Sequence, residues 1–165
     1  IYGEDNRIDV FEETDPQRLQ WAASTCGLFS ISNVTFENDG SAAVQPSEYR
    51  QFGLPACEEE PFGDQPTAAF CSGFMVGPDL IATAGHCFSE ADLATTVFIF
   101  GFQMADEETP ILEFDASQVY RPVEIVDRAF VGPLDHCLVR VDRFPGSRGC
   151  HSGLYLVPAQ RVCHL

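Results

Sequence analysis

Apolar and polar positions alternate along this chain in short bursts separated by turn-forming residues. Phe70–Val76 and Leu80–Thr83 read as two strands joined by the tight turn Gly77-Pro78-Asp79. Thr95–Phe102 is nearly continuous in apolar residues, the texture of a strand covered on both faces. Shorter strands are expected around Ile111–Phe114, Ser117–Tyr120 and Glu124–Val126. The last clear one is Cys137–Val141. Nearer the start, Cys26–Phe36 carries β-branched and aromatic residues in alternation and is expected to be one strand. One helix is expected, over Pro16–Ala23, with Asp15 as N-cap and Pro16 in the first turn. Many short strands with little helix predict an all-β chain, a β-barrel or sandwich.

The same pattern divides the chain. Residues 1–36 form an N-terminal segment with the first strand, and residues 37–67 an acidic loop rich in Gly and Pro. Residues 68–143 hold the strand-dense core, and residues 144–165 a tail without strand pattern. There are no internal repeats and no low-complexity tracts. The triplet Glu58-Glu59-Glu60 is expected to be a solvated loop rather than a calcium site.

Composition narrows the function classes. Twenty-five acidic residues against 9 basic ones give a net charge of −16, which repels nucleic acid and anionic membranes, so neither is an expected partner. No run of about eighteen apolar residues offers a membrane span. The chain opens at Ile1 without an initiator methionine and reads as a mature, trimmed or incomplete product. Seven cysteines (Cys26, Cys57, Cys71, Cys87, Cys137, Cys150 and Cys163) are many for a reducing cytosol and point outside it; their odd number leaves at least one thiol unpaired.

The chemistry concentrates in two motifs. Cys71-Ser72-Gly73-Phe74-Met75-Val76 leads through the next strand to Ala82-Thr83-Ala84-Gly85-His86-Cys87, which puts a histidine where a strand ends. An imidazole titrates near pH 6.5 and can act as a general base around neutrality. Downstream, Leu134-Asp135-His136-Cys137-Leu138-Val139-Arg140-Val141 puts a carboxylate at the head of a strand. Taken together and in this order, these stretches resemble the histidine and aspartate motifs of trypsin-like (chymotrypsin-fold) serine peptidases. There a C-G-G strand leads to T-A-A-H-C, and D-x-A-L-[LV]-[KR]-[LV] follows. Gly85 in place of the second alanine, and the opening Ile1–Arg7, look closer to the bacterial V8-like, glutamyl-endopeptidase-like branch.

The resemblance implies a chymotrypsin-like antiparallel β-barrel, the N-terminal one of two. It implies His86 as general base and Asp135 as the buried carboxylate that holds its tautomer, with a polypeptide substrate and no cofactor or metal. Cys71 and Cys87 bracket the histidine loop and are the expected disulfide, a closure that stabilises by about 3 kcal/mol. His136 is expected at the surface without a role. His151 and His164 each follow a cysteine, but no C-x-x-C spacing supports a zinc site.

The family's G-[DN]-S-G nucleophile motif does not occur. Ser152, in Gly149-Cys150-His151-Ser152-Gly153, stands one residue too far from the first glycine and too close to the aspartate strand; it is expected to be a turn serine. Ile1 is given no role. The expectation is therefore an extracytoplasmic serine endopeptidase in the parent enzyme, with this chain an inactive fragment lacking the nucleophile and the second barrel. The alternative is a non-catalytic binding or regulatory protein on a degenerate peptidase scaffold.

Overall fold

A computed structural model of the chain describes residues 5–48, 50–51, 54–55 and 60–142. The opening residues 1–4, Cys57, Glu58, Glu59 and the tail, with Ser152, His151, His164, Cys150 and Cys163, lie outside the described residues.

The near-continuous apolar run forms a strand whose five residues, Thr96–Phe100, are all buried. Its two faces feed two different cores. Phe98 and Phe100 enter a cluster with Leu28, Ile81, Phe88, Tyr120, Cys137, Val139 and Val141. Val97 and Ile99 enter a second cluster with Phe29, Val34, Val44, Phe114 and Val119. Period-two alternation sends successive residues to opposite faces, so a strand lying between two cores has no polar face.

In chain order the elements are helix α1 (Pro16–Ala23), then β1 (Thr25–Ser30), β2 (Val34–Phe36), β3 (Ala42–Val44), β4 (Arg50–Gln51), β5 (Leu54–Pro55), β6 (Cys71–Gly77), β7 (Leu80–Thr83), β8 (Thr96–Phe100), β9 (Glu113–Phe114), β10 (Val119–Tyr120), β11 (Pro122–Val131) and β12 (Leu134–Val141). Seven strands make one antiparallel sheet in the order β10-β8-β1-β6-β7-β12-β11. The sheet curls until β11 lies against β8, enclosing the first cluster. A smaller sheet, β2-β3-β9, covers the second cluster. This is the mostly β, chymotrypsin-like half-barrel that the resemblance implies, with one α-helix.

Local chemistry explains most boundaries. The Asp15 side chain accepts hydrogen bonds from the backbone N–H groups of Gln17 and Arg18, and Pro16 occupies the first turn, so α1 starts where expected. The expected strand over Cys26–Phe36 is interrupted. A 3-10 turn at Ile31–Asn33 ends β1, and β2 starts a separate sheet at Val34. Ser30 caps that turn through its hydroxyl, which accepts from the Ser32 N–H. The expected short strand at 124–126 belongs to a ten-residue strand, β11, paired with all of β12 through a hairpin at Gly132-Pro133.

Cys71 and Cys87 are joined by a disulfide. Cys26 and Cys137 are free thiols in the first cluster; burial pushes the Cys26 thiol up to about 12 and raises that of Cys137. No described helix is long and apolar enough to cross a membrane.

Phe98 is wholly buried, between Phe88 and the rest of the first cluster. Phe98→Ala is expected to lower stability by about 3–5 kcal/mol in urea unfolding, whereas a loss under about 1 kcal/mol is incompatible with a core at this position.

Candidate active site

Pairing of β7 with β12 sets Thr83 opposite Cys137. The chain leaving β7 therefore runs alongside the residues that enter β12, and His86 comes to rest against Asp135. The contact has two points. The His86 backbone N–H donates to Asp135 Oδ1 at 2.9 Å, and His86 Nδ1 lies 2.6 Å from Asp135 Oδ2. Hydrogen bonds from the His86 side chain and backbone hold the Asp135 carboxyl below the usual carboxylate range. The carboxylate is thus ionised at neutral pH and can only accept, so Nδ1 carries the proton. In the neutral ring Nε2 then offers a lone pair. An imidazole held in this way can take a proton at Nε2 while its positive charge is met at Nδ1.

Burial differs from the expectation. The side chains of His86 and Asp135 are 55% and 43% exposed, so the carboxylate is not buried among the described residues. The pair works at a solvated surface, where water weakens its attraction.

Two neighbours emerge from the structure alone. Gly85 is buried under the β11–β12 hairpin, and a Cβ there would stand 2.3 Å from the Ala129 carbonyl oxygen and 2.9 Å from that of His136. Glycine is needed because two backbone segments touch. Arg128, on β11, donates from Nε to the Gly85 carbonyl at 2.9 Å and so holds the peptide that precedes His86. Its guanidinium also sits 5.8 Å from the centre of the Phe130 ring, and that ring lies 6.2 Å from the His86 imidazole. The alternation along β11 could have shown that Arg128 and Phe130 share a face. Which loop they reach could not be read from it.

His136, the sequence neighbour of Asp135, turns away from His86 and pairs with Asp127 at 2.9 Å. Cys71, His86 and Cys87 place ligand-type atoms within 4.8 Å of one another, but both sulfurs are committed to the disulfide.

Two outcomes follow from this geometry. Gly85→Ala should destabilise the chain by about 1–3 kcal/mol, and should shift the backbone amide resonances of His86 and Ala129 more than those of α1. The second concerns acid. A carboxyl whose folded pKa is depressed contributes stability above its ordinary value near 3.9 and loses it as pH falls through the lowered one. The gap in unfolding midpoint between the natural chain and Asp135→Asn should therefore be widest above about pH 4 and narrow on further acidification. A gap that widens instead contradicts the assigned bond.

No curated protein sequence matches this chain. The trypsin family profile matches residues 61–143, a span that opens before the disulfide-bonded strand β6 and takes in His86 and Asp135. With about half of its length covered by that match, the chain belongs to the trypsin family of serine peptidases.

Proposed function

We propose that His86 and Asp135 are the general base and the orienting carboxylate of an endopeptidase that cleaves polypeptides through an acyl-enzyme. The observation that carries this reading is the two-point hold of Asp135 on His86. A single hydrogen bond would orient the ring; the second, to the backbone N–H, also fixes where its Cα stands. Nε2 is then presented to an incoming hydroxyl in one tautomer, the condition for activating a serine that is otherwise a poor nucleophile. Asp135 stays ionised and stabilises the imidazolium that forms.

Among the described residues no serine hydroxyl hydrogen-bonds to His86. The family's G-[DN]-S-G motif does not occur in residues 1–165, and these residues alone are proposed not to form an acyl-enzyme. The Cys71–Cys87 disulfide supports action outside the cytoplasm, where such bridges persist. Gly85, one of the two features similar to the V8-like branch, is accounted for by local packing, so the proposal stays at the level of the family.

The test uses the full gene product and a fluorophosphonate probe. One serine should be labelled, and peptide hydrolysis should fall by about 10⁴-fold in His86→Ala and in Asp135→Asn. A chain of residues 1–165 should remain unlabelled. Hydrolysis unaffected by His86→Ala would overturn the assignment, and a gene product that no probe labels would favour the non-catalytic binding protein.

A further inference from the structure

We propose that Asn33 is an acceptor for N-linked glycosylation. The chain has three asparagines, and Asn33-Val34-Thr35 is the only place where one is followed at the second position by serine or threonine. A tripeptide of this kind is modified only where it can be presented and retained at the surface, and the fold supplies that. The 3-10 turn Ile31–Asn33 ends β1, and β2 begins at Val34. Val34 is 8% exposed and points into the second core cluster, whereas Asn33 and Thr35 on either side are exposed. Asn33 at the end of the turn and Thr35 on β2 therefore both lie at the surface, with the residue between them facing inward.

The local hydrogen bonds also survive modification. The Asn33 backbone carbonyl accepts from the Gln45 N–H at 2.9 Å, so the turn is tied down by main chain. The side-chain contact of Asn33 is to its oxygen, Oδ1, which accepts from the Ser32 hydroxyl at 3.3 Å. The atom that would carry the sugar is Nδ2.

In the proposed step Asn33 Nδ2 attacks the anomeric carbon of a polyprenyl-pyrophosphate-linked oligosaccharide. The N–C bond forms, the bond from that carbon to the pyrophosphate oxygen breaks, and the polyprenyl pyrophosphate leaves. The amide nitrogen gives up one proton. No oxidant or reductant is needed. The Cys71–Cys87 disulfide fits passage through an oxidising compartment where such donors are used. The His86–Asp135 pair plays no part, so this proposal stands or falls apart from the peptidase reading.

The experiment is translation of the full chain behind a host leader peptide into microsomes, with and without peptide N-glycosidase. The natural sequence should show a single glycan-sized mobility shift that the glycosidase removes, leaving aspartate at position 33 in the peptide map. Asn33→Gln and Thr35→Ala should each abolish the shift completely, and Thr35→Ser should retain it. The Thr35→Ser chain guards against a folding defect at the turn, because it keeps the hydroxyl. A translocated natural chain without glycan, or a glycan that persists in Asn33→Gln, overturns the proposal.

Discussion

β7 and β12 run antiparallel with Thr83 opposite Cys137, Ala82 opposite Leu138 and Ile81 opposite Val139. Neither strand has freedom to slip, since a one-residue shift would turn the wholly buried Ile81, Cys137 and Val139 out of the core. Holding that register fixes the path of the chain beyond β7. The segment Ala84–Cys87 then has to cross the head of β12, and the bond between His86 and Asp135 becomes a product of strand pairing rather than of loop conformation.

Three further restraints converge on the same short segment. Phe88 anchors it from below in the first cluster, the disulfide ties Cys87 to β6, and Arg128 holds the carbonyl of Gly85 from β11. Two come from different strands of the same sheet and the third from the core beneath it. The loop is therefore tied to the half-barrel at several points, and the position of the imidazole derives from elements outside the His86–Asp135 pair. Gly85 marks the tightest point, where loop and hairpin backbones meet without a side chain between them.

Much of this was readable in the residues, and the unreadable part has physical causes. The helix could be placed because its cap and its proline act locally. The strands around the two motifs could be placed because their alternation is regular, and the histidine and aspartate because their sequence context is distinctive. The break at Ile31–Asn33 was hidden, since β1 and β2 share one apolar alternation and the turn between them depends on a serine cap. The length of β11 was hidden by its polar residues, whose pairing with β12 is long-range. Exposure of Asp135 could not be inferred, because burial depends on what packs over a position and not on its own strand. The closeness of Gly85 to Ala129 required coordinates, as nothing in a lone glycine tells crowding from flexibility.

The two core cysteines have a bearing on how the single described bridge is kept. Disulfide exchange proceeds through thiolate attack, and burial, which pushes the Cys26 thiol well above the usual range, keeps it protonated at neutral pH. Cys137 is shifted in the same direction. Both thiols are also buried, Cys26 at 3% and Cys137 at 0% exposure, which keeps them from sulfur compounds in solution. Once the chain has folded, scrambling of the Cys71–Cys87 linkage by these internal thiols is held back by their reluctance to ionise, and the half-barrel can carry them through an oxidising environment with the covalent frame around its histidine kept.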